Sequence, residues 1–319
     1  MDEFELIKNY FQKISNKNLG AKKLNDDVFF DKNKKLVVSV DTYNEKVHFP
    51  NFKYPNLVIK KIIRSSISDL IAKGVKPKYY FISGSGNKKS FTKRNLKSIS
   101  KALNQEQKKY NLKLSGGDTT NSDKVSFSIT SIGFSQSIVE RNKAKLNDDI
   151  YVTGNIGDSF VGLKTIKNNI KINFKLKKYF ISKFYCPNLP YNIYKHMHKF
   201  ANTSIDISDG LVSDMYKLIN DQFLSFEINV NKIPISKNLE VYIKKYNKVK
   251  NQFLFHGDDY QVLFTASKKK RLLIKSLAKK LNQKITIIGK INNGYKKNLI
   301  KFDNKPQNLT NFKGYSHTF

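Results

Sequence analysis

Cysteine is almost missing from this chain. Cys186 is the single one in 319 residues, which excludes an internal disulfide and any zinc site built on thiolates. Tryptophan is absent, and arginine is confined to Arg64, Arg94, Arg141 and Arg271. No apolar run approaches the roughly 18 residues that a membrane-spanning helix requires. The N-terminus reads Met1-Asp2-Glu3-Phe4-Glu5, acidic where a secretory signal would be basic. These absences lead to the expectation of a cytoplasmic protein with no membrane contact. The length and the 39% apolar content allow a substantial core and two domains.

Acids are also few. Against 59 Lys and Arg there are 25 Asp and Glu, a formal charge of +34. A charge of that size points first to nucleic acid. The excess, however, is lysine spread from end to end, whereas base readout favours the arginine fork and binding grooves favour clustered charge with aromatics. A solvated lysine coat is the reading adopted. More than half of the scarce acids fall in a few short stretches: Asp26, Asp27, Asp41, Glu45, Asp69, Asp118, Asp148, Asp149, Asp158, Asp206, Asp209, Asp214, Asp258 and Asp259.

The stretch Ser115-Gly116-Gly117-Asp118-Thr119-Thr120 sets the theme. Two glycines let main-chain N–H groups approach an anion, and the aspartate beside them can hold a hard cation. A tight turn before the alternating strand 125–134 is the structural alternative. Upstream, Phe4, Ile7, Phe11 and Ile14 have helical spacing, and strand 35–40 leads into Asp41 and a polar loop containing His48. A long helix over 54–73, closed by Gly74, carries Asp69 among apolar neighbours, either as a cap to something nearby or as a ligand. Strand 76–83 and helix 91–110 follow. The loop Gly84–Lys89 lacks the second glycine of a P-loop, because Lys88 occupies that place.

Residues 140–145 are the expected domain junction. Beyond it, strand 150–153, the turn Gly154–Gly157 and the helix from Asp158 form a possible anion-binding end. Ser204-Ile205-Asp206-Ile207-Ser208-Asp209-Gly210 places acids at the end of a strand and the start of a helix. His256-Gly257-Asp258-Asp259-Tyr260 again sets acids before an apolar strand. Carboxylates gathered in one cleft repel one another unless cations lie between them, and Mg²⁺ suits aspartate oxygens combined with phosphates. The pattern therefore points to phosphoryl transfer assisted by several Mg²⁺ ions, resting on positioning and charge neutralisation.

In this order the motifs resemble those of thiamine-monophosphate kinase, in the superfamily of aminoimidazole ribonucleotide synthetase and selenophosphate synthetase. The resemblance runs from Asp26 to Tyr315 through Asp26-Asp27, Ser39-Val40-Asp41, Val47-His48-Phe49, Ser68-Asp69-Leu70, Gly116-Gly117-Asp118, Arg141, Gly157-Asp158-Ser159, Asp206–Leu211, Gly257–Tyr260 and Gly314-Tyr315. It implies an α/β (α+β), two-domain PurM-like fold. Residues 1–140 would form a mixed sheet with helices that binds ATP and metal and pairs across a homodimer. Residues 141–319 would form an α+β domain closing the active-site groove. The implied reaction moves the γ-phosphoryl of ATP to the phosphate of thiamine monophosphate, giving thiamine diphosphate and ADP.

Carried over residue by residue, the resemblance implies Mg²⁺ ligands at Asp27, Ser39, Val40 (through its backbone), Asp41, Asp69, Asp118, Asp206 and Asp209. It implies nucleotide contacts at Tyr110, Gly117, Asp118, Arg141 and Ser208, and substrate contacts at His48, Asp258 and Tyr315. Arg141 and Asp118 are the expected catalytic residues, with Arg141 stabilising charge in the transition state. Asn25, Lys46 and His256 stand where the family has glycine, and Asp258 replaces a glutamate. Another ATP-using enzyme of the superfamily, of the ribonucleotide cyclo-ligase type, is the alternative, and a basic nucleic-acid-binding protein is the alternative from outside it.

Overall fold

The structure is a computed structural model that describes residues 1–253, 255–307 and 315. Its first part is a five-stranded mixed sheet of β1 (Phe29–Asp31), β2 (Leu36–Asn44), β3 (Pro77–Gly86), β4 (Lys113–Asn121) and β5 (Ser126–Phe134). The spatial order is β1-β2-β5-β3-β4, with only β3 and β4 parallel. The helices here are α1 (Glu3–Leu6), α2 (Pro55–Ala72) and α3 (Lys93–Tyr110).

Alternation decides which face of this sheet is covered. Phe127, Ile129 and Ser131 of β5 and Val37, Ser39 and Tyr43 of β2 point inward and are buried, and Ser131 Oγ meets Ser66 Oγ of α2 at 2.8 Å. α2 starts with Pro55 at its first turn and carries an isoleucine-rich surface that is buried almost all round. Its other side packs on the second half of the chain, so it is the central element of the molecule. It stops at Gly74, whose φ of +76° and 2.7 Å approach to His198 Nε2 leave no room for a β-carbon.

The second part is a seven-stranded mixed sheet formed by β6 (Asp149–Thr153), β7 (Thr203–Asp206), β8 (Leu224–Asn229), β9 (Val262–Ala266), β10 (Ile285–Asn293), β11 (Leu299–Phe302) and β12 (Lys305–Gln307), in the order β12-β11-β8-β10-β6-β9-β7. Its helices are α4 (Asp158–Ile166), α5 (Phe174–Tyr185), α6 (Met197–Phe200), α7 (Leu211–Leu218), α8 (Lys237–Lys245) and α9 (Arg271–Lys280). Ile150, Val152, Ile205 and Leu263 form one core with α7, while Tyr151 and Phe264 turn to the opposite side and join the core around α2. Two mixed sheets with helices are the expected α/β architecture.

Three local expectations are corrected. Gly116-Gly117-Asp118 is not a tight turn but lies within β4, an exposed edge strand. Gly117 is required there because a β-carbon would sit 1.8 Å from the Ile82 carbonyl oxygen. The N-terminal amphipathic segment is helical but not buried, leaving Phe4, Phe11 and Ile14 exposed. The start of α4 is no open anion site, since the buried Asp259 carboxylate accepts from the Gly157 and Ser159 N–H groups at 2.7 and 3.4 Å. No helix among the described residues is long and apolar enough to cross a membrane.

Candidate active site

The acids converge where α2 passes between the two sheets. Successive inward positions of β2 supply Ser39 and Asp41, and the later turns of α2 supply Ser68 and Asp69. The end of β7 supplies Asp206, and Asp209 and Asp214 lie at the start of α7 and one turn inside it. Burial raises Asp41 and Asp206 to about 7, and the mutual repulsion of these carboxylates adds to the rise in Asp206. Asp69 is pushed well above its ordinary range by burial and by Asp41 and Asp206. Asp214 rises to about 6, again chiefly through burial.

Serine hydroxyls hold this arrangement open. Ser39 Oγ donates to Asp69 Oδ2 at 2.5 Å, and Ser68 Oγ donates to Asp206 Oδ2. Among the described residues no three acids converge closely enough to chelate an ion by themselves. Asp41 Oδ2 is buried with no hydrogen-bond partner, an arrangement that suits a cation, because an orphaned buried carboxylate oxygen is costly.

Fixed cations border this open group. Arg141 donates its backbone N–H to Asp26 Oδ2 at 2.9 Å, and its guanidinium pairs with Asp27 Oδ1. Its Nε is buried without a partner. Lys73 Nζ lies 2.8 Å from Asp26 Oδ1 and 2.7 Å from Asp27 Oδ2. Lys217 pairs with Asp209 Oδ2 and, at 3.1 Å, with Asp214 Oδ1, whose other oxygen accepts from the Asp209 and Gly210 N–H groups. Both oxygens of Asp27, and one of Asp209, are therefore already engaged by side-chain cations.

A second cluster adjoins the first. Asp258 has a φ of +70°, and its N–H donates to the Ser208 carbonyl at 2.8 Å. Its Oδ1 receives Lys61 Nζ at 2.5 Å and the Tyr260 hydroxyl at 2.9 Å. Lys61 is fully buried, with its ammonium 3.9 Å from the centre of the Phe184 ring. The Tyr315 N–H donates to the Asp209 carbonyl at 3.2 Å, bringing that ring toward Asp209 and Asp258. Gly314, Ser316 and His317 lie outside the described residues. His48 Nδ1 accepts from the Asn44 N–H at 2.9 Å, which leaves the proton on Nε2 in the neutral ring.

Three expected residues, Tyr110, Gly117 and Asp118, stand apart from the cleft. Tyr110 is buried, its ring 5.2 Å from that of Tyr191 and 5.8 Å from Arg64, and a nucleotide would reach it only after that packing opens. Asp118 is exposed on β4 and aligns through Ser83 and Ser128 with Thr42, three strand spacings away, or about 14 Å. Val40 points to the open face of its sheet, so any ligand role falls to its backbone. Sequence reasoning missed Lys61, Lys73 and Lys217. The spacing of Lys61, Ser65, Asp69 and Lys73, every fourth residue along α2 and its C-cap, was the available signal.

This fold and acid-lined cleft define a class: residues 25–135 match the family model for the AIR synthase related protein, N-terminal domain. Comparison with whole proteins is more specific. The chain is 35% identical to the thiamine-monophosphate kinase of Buchnera aphidicola subsp. Acyrthosiphon pisum, covering 99% of this chain and 98% of that protein. It is 33% identical to the Aquifex aeolicus thiamine-monophosphate kinase over 85% of this chain and 87% of that protein. A solved structure described as "AaThiL complexed with AMPPCP and TMP" superposes with a TM-score of 0.85 at 29% identity, covering 99% of this chain and 97% of that one. The chain belongs to the thiamine-monophosphate kinase family and is an ATP-dependent kinase.

Proposed function

We infer that the cleft around Asp41, Asp69 and Asp206 carries out the ATP-dependent phosphorylation of thiamine monophosphate by direct in-line transfer. The observation that supports this most is the pairing of opposite needs in one buried place. The Asp41 carboxylate oxygen lacks a donor, and the Arg141 Nε–H lacks an acceptor. A cation–phosphate pair satisfies both. Asp41, Asp69 and Asp206 fit Mg²⁺ by donor chemistry, with Ser39 beside them. When bound, the metal neutralises phosphate charge.

The residues of the chain then divide the work. Arg141 donates to the phosphates and offsets the charge that develops on the transferring group. Ser208 contributes at the rim, where its carbonyl accepts from the Asp258 N–H and so positions that acid. His48 Nε2–H, Asp258 Oδ2 and the Tyr315 ring take the acceptor molecule. The attacking oxygen belongs to a phosphate with a second pKa of about 6, so it is mostly ionised at neutral pH and no side chain need remove a proton. One P–O bond to the attacking oxygen forms as the bond to the ADP leaving oxygen breaks, with no net proton transfer.

We also propose that the protein works as a homodimer of chains divided into domains 1–140 and 141–319. The open face of the first sheet displays Val40, Phe81 and Phe134, and its edge strand β4 is uncovered. Pairing there would hide this apolar surface and give Gly117 and Asp118 a route to the cleft of the second copy, which their distance within one chain denies them. The deciding assay is chromatographic: ATP and thiamine monophosphate incubated with and without Mg²⁺. Mg²⁺-dependent thiamine diphosphate is expected. ATP binding without product would refute the acceptor, and turnover unchanged in chelator would refute the metal.

A further inference from the structure

We propose that Lys73 is a resident cation that takes the place of a metal ion at the Asp26–Asp27 pair and confines divalent binding to Asp41, Asp69 and Asp206. The inference rests on the metal reading given above. Lys73 follows the last turn of α2 and is fully buried. An ammonium in that position is strongly disfavoured unless oxygens surround it. Three do: the Ser204 carbonyl at 2.7 Å, Asp26 Oδ1 at 2.8 Å and Asp27 Oδ2 at 2.7 Å. The first is a hydrogen bond and the other two are ion-pair contacts, so two carboxylates face the buried ammonium.

The same contacts fix where this charge sits. Ser204 belongs to β7, and its hydroxyl donates to the Ala72 carbonyl at 2.6 Å, which ties the strand to the end of α2. The Lys73 ammonium is thereby held between the segment ahead of β1, the central helix and the second sheet. With Arg141 on the remaining oxygen of Asp27, each oxygen of that carboxylate faces a side-chain cation. A divalent ion placed at Asp26 and Asp27 would have to displace Lys73 or sit against its positive charge. Among the described residues Asp41, Asp69 and Asp206 have no ion-pair partner, and they retain the need for a cation.

Mn²⁺ binding to the nucleotide-free, full-length protein, read from the loss of the free-ion electron paramagnetic resonance signal, tests this directly. Lys73→Met keeps the length of the side chain and removes its charge. It is expected to bind one additional Mn²⁺, or to bind Mn²⁺ about 10-fold more tightly or better, on the scale by which neighbours of metal ligands alter affinity. Lys73→Arg keeps the charge and should bind Mn²⁺ like the parent. Asp206→Asn, run in parallel, should lose most of the parent's Mn²⁺ binding. Unchanged binding in Lys73→Met, with binding lost in Asp206→Asn, overturns the role of Lys73 and leaves the metal reading standing. Unchanged binding in Asp206→Asn overturns the metal reading itself. Should Lys73→Met not fold in metal-free buffer, its thermal unfolding with Mg²⁺ decides: recovery of the transition supports the proposal, and no recovery overturns it.

Discussion

Replacing Asp206 by asparagine should make the ligand-free protein more stable while disabling it. Burial and neighbouring acids raise this carboxyl from 3.8 to about 7 in the folded state. The folded protein therefore holds a proton that the unfolded chain releases, and its stability falls as pH rises from about 4 through about 7. At pH 8 that displacement corresponds to roughly 4 kcal/mol against the ionised form. Part of it is shared with Asp41, and an amide reproduces the acceptor used by Ser68 only partly, so a net gain of about 2 kcal/mol is expected. For a chain of this size that is a rise in Tm of about 3 °C. The gain should shrink to less than half at pH 5 and vanish below the pKa of an unfolded carboxyl, where both carboxyl states are neutral. Thermal unfolding in chelator at pH 8 and pH 5 measures it. Mg²⁺ should stabilise the parent at pH 8 and the variant much less, and turnover of ATP with thiamine monophosphate should fall by about 100-fold or more. A variant less stable than the parent at pH 8, or equally shifted at both pH values, would refute the electrostatic account.

Three further substitutions probe separate parts of the cleft. Arg141→Lys keeps a charge but loses the unpaired Nε–H, and should lower kcat by about 10² with a smaller change in KM for ATP, measured by steady-state kinetics. Lys61→Met removes the partner of Asp258 and should raise KM for thiamine monophosphate about 10-fold while ATP affinity, read by calorimetry, stays within a factor of about two; an equal loss for both ligands would contradict the assignment. Phe81→Lys places a charge on the open face of the first sheet and should convert the dimer to monomer in sedimentation, with turnover lost in proportion; a monomeric parent would sink the dimer reading.

The acid motifs are legible because the background is so basic. In a chain coated with lysine, Asp69 within an isoleucine-rich helix and Asp206 at the end of an apolar strand stand out, and both line the cleft. The alternation of β5 is equally plain. Partners are not legible. Lys73 and Lys217 look like any other lysine until the fold sets oxygens around their ammonium groups. Glycines at 116 and 117 read locally as a turn, but Gly117 serves close approach to the Ile82 carbonyl within a strand pair, a long-range contact that local composition does not encode. Tyr110 ends its helix as the pattern indicates, yet its burial depends on Tyr191, 81 residues on, whose hydroxyl donates to the Tyr110 carbonyl at 2.6 Å.

The balance of charge in the cleft explains how such a concentration of acids is tolerated before any ligand arrives. Lys73 and Lys217 each bridge a pair of carboxylates, and Arg141 joins Asp26 to Asp27 through its backbone and its guanidinium. The Lys73 bridge, which also takes in the Ser204 carbonyl, ties the segment before β1 to the second sheet, while the Lys217 bridge stays within α7 and the residues just before it. Breaking one of these bridges would leave an uncompensated buried charge, which is why they hold. Asp69 and Asp206 each accept a serine hydroxyl, and neither they nor Asp41 has such a bridge. Near neutral pH the carboxyls of Asp41 and Asp206, displaced to about 7, remain partly protonated, and a divalent cation with its nucleotide would displace those protons. The electrostatic cost left unrelieved in the empty cleft is therefore a source of selectivity: a cation alone relieves the repulsion among the acids, and a ligand that also brings negative charge to Arg141 relieves both needs at once.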